Sequence, residues 1–420
     1  MASFSTRRIS RARARADVAE ARKALVLAHE PPLPAISGTR VRTLNLMLQL
    51  AKRGWNVSLF ALAVGEPPED VERRRLEEIC DRVVLQPFAS SRAARYRRAA
   101  LARVRGRAFQ ERFFFSGPAA RRLGEWLEGD RFDAILASQL YMYPYVPERL
   151  RASTALDCHN VERHRVETMA SSLWPRPRGV AARLQLGAVT RWERDAARSV
   201  GRVLAVSEPE REYFETFAPG RVSLVPNGVD CVSYAMRREL PAEPRVLFVG
   251  SMDYSANSDA VEFMIREILP AVRNRNARIT VVGGGPSRAI RREADSAALP
   301  TEVTGRVPST EPYFRRSRLM AVPLRFGGGT RLKILESLAR GVPVLSTDVG
   351  CEGLGLRHER DVIIADDPRR FAEWIDRLLS DDELCSSLAR NGRQTVEQRF
   401  DWSAIGDQLQ EALLEITGPR

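Results

Sequence analysis

From Arg318 to Leu354 the chain reads RLMAVPLRFGGGTRLKILESLARGVPVLSTDVGCEGL, and this stretch constrains the fold more than any other. Met320 to Leu324 is a short apolar run, as a buried parallel strand requires. Gly327, Gly328 and Gly329 break regular structure. From Thr330 the apolar residues Leu332, Leu335, Leu338 and Ala339 recur at helical spacing. Gly341 ends that helix, and Val342 to Leu345 supplies the next strand. Strand, helix and strand in this order demand a parallel sheet with the helix on one face. A glycine loop that opens a helix at a strand end also suits an anion, because free backbone N–H groups and the helix dipole converge there. Arg331 and Lys333 add positive charge within reach of that point, and Glu336, one turn on, can accept hydrogen bonds from hydroxyls. The stretch predicts a site for a phosphorylated, hydroxyl-bearing ligand.

At 420 residues the chain is too long for one ordinary core, so two domains are expected. No run of eighteen apolar residues occurs, which argues against a membrane-spanning helix. The basic start, MASFSTRRISRARARADVAEARKA, has no apolar core and reads as a tail over residues 1–22 rather than a secretory signal. The five cysteines (Cys80, Cys158, Cys231, Cys351, Cys385) are scattered without metal-ligand spacing, which points to a reducing compartment with neither metal nor disulfide framework. A net charge of +13 permits phosphorylated ligands, anionic membrane or nucleic acid as partners. Arginine outweighs lysine throughout, and no nucleic-acid motif accompanies the charge, so nucleic-acid binding is not expected.

The same alternation runs along the whole chain. Lys23 to His29 is a strand, followed by a proline-rich loop ending in Ser37-Gly38-Thr39, a helix over Val41 to Lys52 and a strand over Asn56 to Leu62. Ser91 to Phe115, SRAARYRRAALARVRGRAFQERFFF, is the most basic part of the folded chain. It reads either as a helix that lies on anionic lipid or as a solvated helix whose phenylalanines enter the core. Asp133 to Ser138 and Ser153 to Asp157 are short strands, and the second ends in Cys158-His159-Asn160. A histidine just beyond the carboxyl end of a parallel strand sits where open α/β sheets bind ligands. Arg202 to Val206 and Val222 to Val225 are strands, with Ser207 capping the helix between them and Asn227 in the turn that follows. Residues 233 to 243 mark a linker, which divides the chain into 23–235 and 236–400, with a last helix over 401–417. Beyond it come strands Arg245 to Val249, Arg278 to Val282 and Thr301 to Thr304, and a helix over 257–269 capped by Asn257. Gly283-Gly284-Gly285-Pro286 lacks the third glycine of a dinucleotide fingerprint and reads as a structural turn.

Taken together, VSEPER at Val206, VPNGVD at Val225, VLFVGSMDYSANSDA at Val246 and PLRFGGGTRLKILESLARGVPVLSTDVGCEGL at Pro323 resemble the family-four retaining, nucleotide-sugar-dependent glycosyltransferases. The resemblance covers nearly the whole chain. It implies the GT-B fold, two Rossmann-like parallel-sheet domains facing each other across a cleft, the first for the acceptor and the second for the nucleotide sugar, with the last helix, 401–417, crossing back onto the first domain. Gly38 and Thr39 match the family's loop near the donor diphosphate, and His159 matches the histidine that contacts the donor sugar. Asn227, Gly250 and Ser251 fall in matched donor-side turns, Arg306 and Val307 match the segment that touches the base, and Glu336 matches the glutamate on the ribose hydroxyls. The backbone of Gly328, Gly329 and Thr330, with Arg331 and Lys333, would neutralise the departing diphosphate without a metal or other cofactor. The implied activity is hexosyl transfer from a nucleoside-diphosphate sugar to a lipid-linked, polysaccharide or other hydroxyl acceptor. The enzyme would be cytoplasmic, at the inner membrane face.

Two departures stand out. The family often has two glutamates with seven residues between them, and here the first position is Gly328. Many members also carry an arginine and a lysine in the loop after the strand at Val249, and here Ser251 to Ala256 holds neither. Arg331 and Lys333 are the candidates to replace that charge. The alternative is that Lys333 and Glu336 form an ordinary helix pair worth roughly 0.2–0.5 kcal/mol. A catalytically impaired sugar-nucleotide-binding subunit and a same-fold epimerase are the rival functions.

Overall fold

The computed structural model describes residues 21–63, 68–88, 91–172, 177–327 and 331–417. They form two compact units: one runs to Pro226 and takes in Ile405 onward, and the other is Asn227 to Ala404.

The first unit is built on a seven-stranded, wholly parallel sheet. Its strands are β1 (Lys23–Ala28), β2 (Asn56–Ala63), β3 (Arg82–Pro87), β4 (Ala134–Ser138), β5 (Thr154–Cys158), β6 (Arg202–Ala205) and β7 (Val222–Leu224). They lie in the order β3-β2-β1-β4-β5-β6-β7. Every residue of β4, β5 and β6 is buried, as strands covered by helices on both faces require. The second unit holds a six-stranded parallel sheet of β8 (Arg245–Val249), β9 (Arg278–Val282), β10 (Thr301–Gly305), β11 (Leu319–Val322), β12 (Val344–Ser346) and β13 (Ile363–Ile364), ordered β10-β9-β8-β11-β12-β13. In each sheet the winding reverses once, between β1 and β4 in the first and between β8 and β11 in the second. Such switch points open a crevice at the carboxyl ends of the strands.

The expected strands are all present, and the differences lie in the helices. The basic stretch from Ser91 is two helices, Arg92–Val104 and Phe109–Phe113, parted where Gly106 takes φ +70°. Asn257 does not cap its helix. The helix begins at Ser255 with Tyr254 at the cap position, and Asn257 turns its side chain back to donate to the Ser251 carbonyl at 2.8 Å. That helix then widens to a π turn over Met264–Ile268 and tightens over Leu269–Ala271, so the expected span holds while the winding changes. A long helix, Asp382–Arg399, precedes the last one. Ser207 sits at the N-cap position of Glu208–Glu215, as expected. The Gly328, Gly329 and Thr330 positions lie outside the described residues.

Candidate donor and acceptor half-sites

In the second unit Gly250 directly follows β8 and Gly283 directly follows the neighbouring β9, and the two loops touch. A Cβ on Gly283 would stand 1.9 Å from the Gly250 carbonyl oxygen, and Gly283 takes φ +153°, so both the approach and the backbone require glycine. The packing of the two loops therefore fixes glycine at this turn. Into the space above Gly250 comes Lys333, from the first turn of helix Leu332–Ala339. Its Nζ donates to Asn257 Oδ1 at 2.7 Å, lies 4.6 Å from the centre of the Phe248 ring, and would be 2.7 Å from a Cβ on Gly250. Burial, aided by the nearby Arg331 charge, draws the Lys333 ammonium down to about 7.

Lys333 and Glu336 do not pair with each other. Glu336 Oε1 accepts from Arg340 Nη2 at 3.1 Å and from Thr310 Oγ1 at 3.3 Å, while Oε2 has no protein partner among the described residues. Burial pushes its carboxyl up to about 7, with the Thr310 hydrogen bond drawing it the other way. Arg331 is buried at the start of the helix, its Nη2 3.4 Å from a Cβ on Gly327 and 3.5 Å from the Val349 carbonyl. Ser251 donates to Asp253 at 3.0 Å. Arg306 is exposed beyond the end of β10, its Nε 3.6 Å from a Cβ on Gly284, and Val307 packs at the edge of the core. The strand ends thus bring together Gly250, Ser251, Lys333 and Asn257 on one side, and Glu336 with Thr310 on another.

The first unit gathers its own polar cluster at the ends of β4 and β5. His159 Nε2 lies 2.8 Å from Asp157 Oδ2. A carboxylate accepts, so Nε2 carries the proton, and Nδ1 accepts from Gln139 Nε2 at 3.2 Å. Gln139 also donates to Thr39 Oγ1 at 2.9 Å, which ties the helix start after Gly38 to His159. Gln139 takes φ +70°, and its Oε1 is buried without a partner among the described residues. Sparsely populated backbone of this kind persists where the surroundings fix it. Asp157 is fully buried against Arg42, whose Nη2 reaches it at 2.6 Å and whose guanidinium also donates to the Val225 and Pro226 carbonyls at 2.8 Å each. Burial would raise the Asp157 pKa, but the Arg42 and His159 contacts hold it well below the usual carboxylate range. Asn227 follows Pro226 at the start of the second unit.

Sequence reading missed Arg42, Asp157, Gln139 and Asn257. Asp157 had a signal, a carboxylate closing an apolar strand. Arg42 had none, since a helical arginine usually faces water.

Two doubly wound parallel sheets, each with a polar cluster at its strand ends, are the architecture of the GT-B fold. The family described as Glycosyltransferase Family 4 matches residues 36–233, and that described as Glycosyl transferases group 1 matches residues 243–381. The chain belongs to this group 1, family-four set of glycosyltransferases. A phosphatidyl-myo-inositol mannosyltransferase of Mycobacterium tuberculosis is 26% identical over 233 residues, which are 52% of this chain and 60% of that relative. The chain thus spans less than two thirds of that relative's length. Sucrose-phosphate synthase from Thermosynechococcus elongatus has the same fold, with a TM-score of 0.66 at 18% identity over 93% of this chain and 98% of its own. So does Anabaena HepE, solved with UDP and glucose, at 0.61 and 14% over 93% and 99%. Among the described residues no helix is long and apolar enough to cross a membrane.

Proposed function

We propose that the protein transfers a hexosyl group from a nucleoside-diphosphate sugar to a hydroxyl acceptor, retaining configuration, with Lys333 as the principal cation on the donor diphosphate. The position of the Lys333 ammonium carries this reading. It stands over Gly250 at the carboxyl end of β8, held by Asn257, beside a loop with no basic residue of its own. Bond breaking at the sugar builds negative charge on the diphosphate, and a preplaced cation there lowers the barrier by a few kcal/mol. Arg331 adds to the field, so the charge can be met without a metal or other cofactor. Glu336 Oε2 is free to accept from a ribose hydroxyl. In the first unit, His159 and Thr39 serve the sugar and the acceptor. The departing phosphate takes the acceptor's proton on the same face of the sugar. The relative named for phosphatidyl-myo-inositol supports a lipid-linked or saccharide acceptor, and with it a cytoplasmic enzyme working at the inner membrane face.

Thermal unfolding with UDP, GDP, ADP and their sugar conjugates tests the reading. A ligand at 100 times its Kd adds about 2.7 kcal/mol, a rise in Tm on the order of 5 °C. One nucleotide should give that shift. Lys333→Met should abolish both the shift and turnover while the unliganded protein melts no lower than before. A panel without effect, or a Lys333→Met protein that keeps shift and turnover, overturns the assignment.

A further inference from the structure

The helix Arg92–Val104 turns its larger apolar residues outward. Its inner face is small: Ala99 and Ala102 are buried, and Arg95 lies along the Phe88 and Phe113 rings at 5.4 and 5.0 Å. Val104 is 86% exposed, Leu101 55% and Tyr96 48%. At helical spacing Ala93, Tyr96, Ala100 and Val104 share one line along the outer face, with Leu101 beside it. Arg97, Arg105 and Arg107 are exposed alongside. Between Ser91 and Gln110 there are seven arginines and no carboxylate. Scattered apolar residues on a surface mean little, but a row of them on one helix, rimmed by one sign of charge, marks an interaction face.

The geometry points to this face as a docking surface for an anionic lipid bilayer. Val104 and Leu101 reach the headgroup boundary, the half-exposed Tyr96 ring, packed on Phe109 and Phe113 at 5.8 and 5.2 Å, floors the stripe, and the arginines meet lipid phosphates. The stripe is short, so the binding is peripheral and reversible. A protein partner would need acidic complementarity along the whole face. A bilayer supplies charge and apolar depth together. The surface deepens the proposed placement at a membrane face and rests on that part of the reading, not on the donor assignment, which the nucleotide shift tests separately.

Sedimentation of the full chain with vesicles of phosphatidylcholine alone, and of phosphatidylcholine with phosphatidylglycerol, tests it. Binding should require the anionic lipid and weaken as salt rises. Arg97→Ser with Arg105→Ser should lower partitioning by roughly fivefold for each arginine lost. Val104→Asp should lower it comparably. Both changes are at exposed positions, and an unchanged Tm and nucleotide shift would show the fold intact. Should Val104→Asp fail to fold, Leu101→Ser probes the same stripe. No binding to either vesicle, or equal binding to both, overturns the proposal. So does a loss on arginine replacement with no effect of Val104→Asp or Leu101→Ser, since that describes a polyanion site without lipid insertion.

Discussion

Lys333 and Glu336 sit one turn apart on a short helix, yet each titrates far from its ordinary range and each is satisfied elsewhere. The sign of each effect follows from burial. Lys333 falls from an ordinary 10.5 to about 7, so between those values the unfolded chain holds more protons and stability rises with pH. Glu336 rises from 4.5 to about 7, so between those values the folded chain holds more protons and stability falls as pH rises. The two contributions together are least favourable near neutrality, where a bound nucleotide would relieve them. A diphosphate at Lys333 returns its pKa upward, and the complex takes up a proton. Affinity for the nucleotide should be flat below about pH 7 and weaken by up to tenfold per pH unit above it. Calorimetry at pH 6, 7 and 8 in buffers of different ionisation enthalpy reads both effects, and Lys333→Met should remove them. A wild-type affinity that is level across this range would reject the linkage. Asp157 makes a separate case. Asp157→Asn takes the bidentate carboxylate from the buried Arg42 guanidinium, at a cost of roughly 3–5 kcal/mol. Replacing both by apolar residues of similar size should recover much of that in urea unfolding, and a single variant as stable as wild type would refute the pairing.

The elements that bear the half-sites differ in how much of them the sequence discloses. Strands were legible because each is a short apolar run between breakers. His159 was legible because it follows such a run directly. The Arg42–Asp157 pair was not, because its members lie 115 residues apart and only the β5 register and the helix after Gly38 bring them together. Lys333 was legible as a cation but its partner Asn257, 76 residues earlier, read as a helix cap. The two loops at β8 and β9 show what such closeness demands. A Cβ on Gly250 meets Lys333 Nζ and Asn257 Nδ2, both at 2.7 Å, and Asn257 Cγ at 2.8 Å, side-chain atoms that can shift at the expense of the Lys333–Asn257 hydrogen bond. A Cβ on Gly283 meets the Gly250 backbone, which cannot. Gly250→Ala should therefore fold with a Tm near wild type yet bind nucleotide on the order of tenfold more weakly, the 1.4 kcal/mol of one displaced ammonium contact. Gly283→Ala should lower Tm sharply. Melting curves and nucleotide titrations of the pair decide the matter, and equal affinity in Gly250→Ala would reject Lys333 as a contact of the nucleotide.

Over the whole molecule, the alternation of strand and helix announced two parallel sheets, while the return of the last helix to the first unit was legible only through the family resemblance. The chain leaves the first unit at Pro226 and rejoins it at Ile405, at the end of the first turn of helix Trp402–Thr417. Charged contacts tie this helix to the unit: Arg53 to Asp407 at 2.7 Å, Arg22 to Thr417 at 3.0 Å, and Arg202 to Glu415. Asp407 is 77% exposed, so its pair contributes at most about 1 kcal/mol. The apolar stripe matters more. Ile405, Leu409 and Leu413 recur every four residues and are fully buried. Burying each is worth roughly 1.5–3 kcal/mol, and the three together approach the whole stability of an ordinary domain, about 5–15 kcal/mol. Ending the chain at Ala404 should therefore unfold the first unit at far lower urea, although its sheet is untouched. Protease cleavage within residues 21–226 should appear at temperatures where the full chain resists. Asp407→Ala should change neither. If the truncated chain keeps the full urea midpoint for this unit, the helix is an accessory to the core rather than part of it.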